Sequence, residues 1–289
     1  MPDADVFADG LYFPEAPRWH DGYLWLSDIT GRVIRRYTAS GAGEDYARLD
    51  TEPSGLGFAP DGAVLAVDMP GRRLLSLRDG VTTVIADLSG LAPSFCNDMV
   101  VAADGTAYVT QFGSNHWKGE RPRPAPVIRV SPDGKAEAFG PELNGPNGIV
   151  LTPDERKLLI AEPGAGRVYY LGLDPAGAVC EHGIHAELPP APGSQLPFGT
   201  PDGICLDREG ALWIADPTGF RVIRVGGDGK ITDSIPFTNG IPLSVVLGGA
   251  DARTLYIAVA SHVDFYAPRS DPAGYVAAVT VPVPGAGTE

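Results

Sequence analysis

The chain has 289 residues, which is enough for one large domain or two small ones with a sizeable core. Its 37 glycines and 28 prolines are too many for long helices, yet 44% of residues are hydrophobic, so a mainly disordered chain is excluded and many short turns are expected. The formal net charge of −14 argues against nucleic acid or an anionic membrane as a partner, because either would be repelled, but it is compatible with a cation site.

The sequence predicts neither a targeting segment nor a membrane span. The start of the chain lacks a basic region followed by an apolar run, and no stretch approaches the roughly 18 apolar residues that cross a bilayer. We therefore expect a cytoplasmic protein. The cysteines Cys96, Cys180 and Cys205 are widely spaced with no CxxC pair, which favours reduced, buried thiols over a zinc site or a catalytic nucleophile.

A short phrase repeats six times along the chain. Each copy has an anchor residue, a short apolar strand, a turn that resembles Asp-Gly, and a second apolar strand. In chain order the anchors are Glu15, Ser54, Asn97, Asn147, Asp202 and Leu243. Successive anchors lie 39, 43, 50, 55 and 41 residues apart, close to the length of one four-stranded propeller blade. Asp-Gly turns between β-rich runs are also a strong hairpin signal.

These repeats predict an all-β fold, a six-bladed β-propeller with four-stranded antiparallel blades around a central channel. No linker divides the chain, so residues 1–289 are expected to form a single domain. Residues 6–13 and 274–281 are both strand-like, and we expect them to pair in the last blade and close the ring. Two longer excursions, residues 113–126 and 189–200, are expected to overhang one end of the channel.

The anchors stand at the start of the innermost strands, so they are expected to form a ring at one mouth of the channel. Glu15 and Asp202 bring carboxylates to this ring, and Asn97 and Asn147 bring carboxamides. Such groups are costly in a narrow tunnel unless they are paired, and a divalent cation would pair them. Ligation by oxygen alone suits calcium best, then magnesium or manganese, whereas zinc more often brings His or Cys. A single Asn or Asp before Gly is usually a turn residue, so the shared register carries this prediction.

A second acidic series ends the second strands of four repeats, at Asp28, Asp68, Glu162 and Asp216. We expect these carboxylates to accept hydrogen bonds from the following turn or from the arginine after it. Gln111 takes the same place in the third repeat and is a candidate to reach the channel and contact a substrate. The five histidines show no metal-ligand spacing, but His116 is a candidate substrate contact because its loop is expected to cover the site.

Six segments together resemble a known family, the SMP-30/gluconolactonase/LRE-like family, over nearly the whole chain. They are Pro14-Glu15-Ala-Pro-Arg-Trp, Asn97-Asp98, Pro146-Asn147-Gly-Ile-Val-Leu-Thr-Pro-Asp, Pro201-Asp202-Gly, Leu212-Trp-Ile-Ala-Asp216, and Gly248-Gly249 followed by Thr254-Leu-Tyr-Ile. The resemblance implies a six-bladed propeller with a divalent metal on its axis and, in the characterised enzymes, lactone hydrolysis. It implies metal ligands at Glu15, Asn147 and Asp202, and it places Asn97 close to the metal or in the substrate site.

The chain departs from the family at one position. Sugar-lactone members often carry an arginine two residues before the position of Asn97, where it can hold a sugar hydroxyl or carboxylate, and here that residue is Phe95. The departure indicates a less polar lactone or ester. Phe95 is therefore a candidate substrate contact, and the candidates for an apolar pocket wall are Phe95, Phe112, Trp117 and Phe198.

The leading hypothesis is a divalent-metal-dependent lactonase or esterase acting on a small molecule. The metal would polarise the carbonyl, and Asp202 would act as general base on water. One alternative is a metal-independent, bond-forming propeller like strictosidine synthase. Another is a non-catalytic propeller with a structural ion. The sequence leaves open whether zinc, manganese or magnesium replaces calcium, and it leaves the oligomeric state open.

Overall fold

A computed structural model of the chain describes residues 4–262, 264 and 272–287. The described residues form 24 strands. In chain order they are β1 (Asp5–Leu11), β2 (Pro14–His20), β3 (Tyr23–Asp28), β4 (Val33–Thr38), β5 (Gly43–Arg48), β6 (Pro53–Phe58), β7 (Val64–Asp68), β8 (Arg73–Arg78), β9 (Val81–Asp87), β10 (Cys96–Val101), β11 (Ala107–Gln111), β12 (Ala125–Val130), β13 (Ala136–Leu143), β14 (Ile149–Leu151), β15 (Lys157–Glu162), β16 (Arg167–Leu173), β17 (Val179–Glu187), β18 (Ile204–Leu206), β19 (Leu212–Asp216), β20 (Arg221–Val225), β21 (Ile231–Pro236), β22 (Ile241–Gly248), β23 (Thr254–Ala260) and β24 (Gly274–Thr280).

The strands form six four-stranded antiparallel sheets, which confirms the six-bladed propeller. Blades 1 to 5 are β2–β5, β6–β9, β10–β13, β14–β17 and β18–β21, each in sequence order. Blade 6 has the order β1-β24-β23-β22 and joins the two ends of the chain. In it Asp5 pairs with Ala278 and Leu11 pairs with Gly274, so the expected pairing of the terminal strands is confirmed.

The first strand of each blade lies innermost, and these strands contact one another in turn around the axis, from β2 through β6, β10, β14 and β18 to β22 and back to β2. The hydrophobic core is divided into layers between neighbouring blades. One such layer packs Cys205 and Trp213 of blade 5 against Val245 and Ile257 of blade 6. Two core cysteines, Cys96 and Cys205, are buried as small apolar residues, whereas Cys180 is exposed.

Helical structure in the described residues is limited to three short 3-10 turns, at His116–Lys118, Pro163–Ala165 and Pro217–Gly219. The first lies inside the 113–126 excursion, and the other two follow the second strands of blades 4 and 5. Within residues 4–262, 264 and 272–287, no helix has the length and hydrophobicity needed to cross a membrane.

Candidate active site at one mouth of the axis

The anchor residues are held by an irregularity that recurs at the start of the innermost strands. The pairing register shifts between Glu15 and Arg18 in blade 1 and at the equivalent places of blades 2, 3 and 6. In blades 4 and 5 the strand begins two residues after the anchor, and the anchor is held by its backbone instead. Asp202 N donates to Ala215 O at 2.9 Å, and Asn147 N donates to Ala161 O at 3.0 Å. A bulge or break of this kind changes the direction of a side chain so that it points out of the sheet.

The glycines that follow two anchors are required by close approach between blades. A Cβ on Gly148 would stand 2.4 Å from the carbonyl oxygen of Asp202, and a Cβ on Gly203 would stand 2.0 Å from Ser244 Oγ. Neither glycine has a positive φ, so neither serves a left-handed turn. The Asn-Gly and Asp-Gly pairs therefore mark the places where the innermost strands of neighbouring blades meet around the axis.

Four polar anchors share one cavity of about 570 Å³. Its lining residues include Glu15, Asn97, Asn147 and Asp202, together with the apolar anchor Leu243. The sixth anchor, Ser54, stands behind Asn97 and donates its hydroxyl to Asn97 Oδ1 at 3.2 Å. The structure thus brings together all four polar residues of the expected ring.

A chain of hydrogen-bonded side chains runs through blades 2, 3 and 4 towards Asp202. After the bond from Ser54 to Asn97, Asn97 Nδ2 donates to Asn147 Oδ1. The side chain of Asn147 opposes the rise in the pKa of Asp202 that burial causes. Each carboxamide is oriented by its neighbour, so its oxygen is fixed before any ligand binds. Glu15, Asn97, Asn147 and Asp202 together form what we call the floor of the cavity.

The two carboxylates of the floor, Glu15 and Asp202, form no ion pair among the described residues. Burial raises the pKa of Glu15 to about 8, and the charge of Asp98 adds to the effect, although the Ala16 N–H and Arg18 oppose it. Burial, then Glu15, then Asp98 raise the pKa of Asp202 well above its usual range. Asp202 Oδ1 is buried with no hydrogen-bond partner. Such carboxylates bind either a proton or a cation.

One buried ion pair lies beneath the floor. Arg18 Nη2 stands 2.6 Å from Asp98 Oδ1, and both side chains are about nine-tenths buried. The guanidinium also donates to the carbonyl oxygens of Pro17, Leu56 and Met99. With Glu15 and Asp202 ionised, these four residues carry three negative charges and one positive charge. The two uncompensated negative charges match one divalent cation.

The same ion pair lies between the floor and a second cavity. A smaller cavity of about 260 Å³ opens at the far end, lined by Arg18, His20, Phe58 and residues of the turn at Thr152–Glu155. The two cavities share no lining residue. The ion pair therefore separates the cavity of the floor from this second cavity.

The second acidic series is structural, as expected. Asp216 accepts hydrogen bonds from Thr200 N and Gly219 N and pairs with Arg221 at 2.8 Å. Asp68 accepts hydrogen bonds from Gly71 N and Arg73, and Glu162 accepts them from Asn144 and Arg167. Asp28 differs from the expectation, because it accepts hydrogen bonds from the backbone N–H groups of the preceding Tyr12 and Phe13.

The remaining sequence candidates fall in different places. His116 lines the cavity mouth, where Phe112 and Trp117 partly desolvate its ring and lower its pKa, although the residue as a whole stays exposed. Phe95 stands one layer back, with its ring centroid 5.9 Å from that of Trp117, and supports the cavity wall without lining it. Gln111 does not reach the cavity, which corrects the expectation of a substrate contact. Its amide nitrogen donates outward to Leu91 O and Pro126 O.

The two excursions also differ. Residues 113–126 supply Ser114, His116, Trp117, Pro122 and Arg123 to the cavity lining. Residues 189–200 supply none and pack onto blades 4 and 5. There Gly199 N donates to Leu188 O, and Phe198 lies against Gly166. Phe198 is therefore not part of the wall.

Sequence reasoning missed several wall residues that its own register argument could have found. Ile29, Met69 and Pro163 line the cavity beside Phe112, which was already a candidate for the wall. Each directly follows the last residue of the second strand in its blade. The sequence signal for these wall residues is their common place, directly after Asp28, Asp68, Gln111 or Glu162.

No three His, Cys, Asp or Glu side chains gather as a metal site within the ranges that the structure describes. The candidate set at the floor has a different make-up, two carboxylates and two carboxamides. It still offers the hard oxygen donors that calcium and magnesium prefer. The unpartnered Asp202 oxygen and the charge imbalance both fit a divalent cation.

Comparisons with known proteins point in one direction. The model of the SMP-30/gluconolactonase/LRE-like region matches residues 13–261. A gluconolactonase of Zymomonas mobilis is 27% identical over 284 residues, which cover 89% of this chain and 79% of that protein. A regucalcin of Xenopus laevis is 38% identical over 263 residues, which cover 87% of this chain and 84% of that protein.

The solved structures include a calcium-binding protein, regucalcin, from Agrobacterium tumefaciens. It superposes with a TM-score of 0.79 at 22% identity and covers 99% of this chain and 95% of its own. At that identity the likeness shows a common fold.

Proposed function

The chain belongs to the SMP-30/gluconolactonase/LRE-like family, and on that premise we propose that it is a metal-dependent hydrolase that opens a lactone or a related ester. The observation that carries the proposal is the floor of the cavity. Two carboxylates there have raised pKa values, one carboxylate oxygen is buried without a partner, and the fixed charges leave an excess of two negative charges. A lactonase relative supports the reaction class.

Glu15, Asn147 and Asp202 would hold the ion, and Asn97 stands beside them. Their donors are oxygens throughout, so calcium is the first choice, with magnesium, manganese or zinc as alternatives. A regucalcin with the same fold is described as calcium-binding, which supports that choice. When bound, the ion supplies Lewis-acid stabilisation of the carbonyl oxygen and of the negative charge that develops on it.

The protein's own residues perform the proton transfers. Asp202 lines the cavity and its Oδ1 accepts no hydrogen bond within the described part of the protein, so Asp202 is the residue that would take a proton from a water molecule in the cavity. The water oxygen forms a bond to the carbonyl carbon, the ring C–O bond breaks, and the proton passes to the departing alkoxide, which gives a hydroxy acid. Asn97 keeps its second N–H free of Asn147 and can donate it to the substrate oxygen.

The test combines metal replacement with activity. Protein stripped by a chelator should lack turnover on a panel of lactones and aryl esters, and one divalent metal should restore it. Glu15→Gln and Asp202→Asn should bind that metal weakly in calorimetry and stay inactive when it is returned. Glu44→Gln, an exposed carboxylate in blade 1, is the matched control and should behave as wild type.

Full lactonase activity of Glu15→Gln or Asp202→Asn in the presence of chelator would contradict the proposal. Strong metal stabilisation without turnover of any lactone or ester would instead identify a binding propeller with a structural ion. Activity indifferent to chelation would favour the metal-independent alternative.

A further inference from the structure

We infer that the ligand of this cavity carries a neutral apolar substituent, an alkyl or aryl group, that lies against an apolar wall above the floor. The wall is formed by Phe13, Ile29, Met69, Phe112, Trp117 and Leu243. The inference rests on the proposed function for the reaction, a lactone or ester hydrolysis, but the recognition of the substituent depends on the wall alone.

The wall is continuous and comes from separate parts of the chain. Phe13, Ile29, Met69 and Leu243 belong to one buried cluster against which Phe112 and Trp117 pack. The rings of Phe112 and Trp117 meet edge to face, with centroids 5.4 Å apart. Most of the surface around an entering ligand is thus hydrocarbon, and binding there gains free energy from the apolar area that the ligand removes from water.

Among the polar side chains that line the cavity, the two carboxamides of the floor are engaged with one another, since Asn97 donates to Asn147. Higher up, Asn144 lines the cavity but donates its amide to Glu162 at 2.9 Å. A sugar lactone would bring several hydroxyls to the wall, and each one left unpaired would cost binding free energy. The wall therefore selects against polyhydroxylated substrates.

The rim carries no net charge among the described lining residues. Arg123 is exposed at the mouth, and Asp264 lines the same mouth with the opposite charge. His116, the third ionisable group there, has a lowered pKa and is neutral near pH 7. A neutral ring with a hydrocarbon substituent fits this mouth better than an anionic or cationic one.

Trp117 is the specificity residue of the wall. It sits in the His116–Lys118 turn, which Asn115 caps by accepting a hydrogen bond from Lys118 N at 3.2 Å, while Glu120 accepts one from Asn115 N at 2.9 Å. Phe95 lies behind the indole. The position that carries arginine in many sugar lactonases thus supports an aromatic ring here. An indole held by its turn and by a second ring loses little entropy on binding a ligand.

The test uses γ-lactones that differ only in chain length, from the unsubstituted ring to butyl, hexyl and octyl, with glucono-δ-lactone for comparison. Each buried methylene contributes about 0.8 kcal/mol, so kcat/KM should rise about fourfold per methylene until the wall is filled. Trp117→Ala should flatten this rise, and Trp117→Phe should restore part of it. Phe220→Ala removes an aromatic ring that is 51% exposed on blade 5 and should leave the rise unchanged.

A second measurement keeps the inference separate from the proposed function. Calorimetry with γ-lactams that bear the same alkyl chains reports binding without turnover. Tighter binding with longer chains, lost in Trp117→Ala, supports the inference even if no lactone is hydrolysed, a result that would defeat the proposed function alone. Hydrolysis of glucono-δ-lactone at least as efficient as that of the hexyl and octyl lactones, with no chain-length dependence in either assay, would overturn the inference and leave the proposed function standing.

Discussion

Two sets of acidic side chains repeat around the propeller, and their bonding partners set them apart. The outer set, at the ends of the second strands, includes Asp68, Glu162 and Asp216, each bonded to backbone N–H groups and to an arginine. The inner set, Glu15 and Asp202, has raised pKa values and a buried oxygen without a donor. Both sets recur in register, so recurrence alone does not identify a candidate functional carboxylate. Among the described residues, the inner set is distinguished by buried carboxylates that lack hydrogen-bond donors or positive partners.

The largest expected effect comes from the inner set. Asp202→Asn should lower kcat/KM by about 10⁴-fold, because it would remove the proposed metal ligand and the proposed general base together. The change should not unfold the protein, since the raised pKa of Asp202 already favours its neutral form. Lactone hydrolysis followed by pH-stat and thermal unfolding in chelator check both statements. A variant that loses activity only because it unfolds would contradict the assignment.

The outer set should give the opposite pattern. Asp216→Ala leaves Arg221 buried without its ion pair and frees two backbone donors, so the free energy of unfolding should fall by about 3 kcal/mol. Turnover per folded molecule should stay near that of wild type. Denaturant unfolding and active-site titration with the bound metal measure the two quantities. An inactive but fully stable variant would erase the distinction between the sets.

Without the metal, protonation of the inner carboxylates should make the stability of the protein depend on pH. In the metal-free protein, Glu15 holds a proton up to about pH 8 that the unfolded chain releases near its ordinary pKa of 4.5. The folded state therefore binds more protons in that window, and stability should fall as pH rises from about 4.5 to about 8. Saturating metal at a hundred times its Kd should add about 2.7 kcal/mol. Denaturant unfolding across this pH range tests it, with Glu15→Gln expected to flatten the slope of the metal-free protein.

The smallest effect is expected for carboxylates outside both sets. Glu44 pairs with Arg36 on blade 1, but its side chain is 59% exposed. Replacing it by Gln should change the free energy of unfolding by less than about 0.5 kcal/mol and should leave turnover unchanged. A larger loss would mean that exposure does not separate surface pairs from the buried arginine pairs of the outer set.

The blades could be predicted because a local signal recurs at a regular interval. A turn such as Pro60-Asp61-Gly62 stands seven to nine residues after its anchor in every repeat, and local signals of this kind need no knowledge of tertiary contacts. The meeting of Glu15, Asn97, Asn147 and Asp202 follows from the same register. In a propeller, equivalent positions of successive repeats lie at the same level along the central axis.

What the sequence could not supply depends on which way a side chain points and where a loop goes. Gln111 shares the register of the outer carboxylates, but whether its amide faces the axis or a neighbouring strand is decided by Leu91 and Pro126, which are distant in sequence. The excursions 113–126 and 189–200 both lack periodicity, yet only the first lines the cavity. Gly148 and Gly203 have the appearance of turn glycines, and only the packed structure shows that neighbouring strands leave no room for a Cβ.

The buried pair of Arg18 and Asp98 separates the cavity of the floor from the second cavity. In the described residues, the cavity of the floor therefore has the form of a cup. In the proposed reaction, substrate and product would use the same passage, so each hydroxy acid would have to leave before the next lactone could enter. A neutral substrate meets no long-range opposition from a chain with a net charge of −14, whereas a carboxylate product is repelled by it. The negative surface charge would therefore favour release of the product over its return to the cavity. Added salt, which screens the repulsion, should increase inhibition by the product.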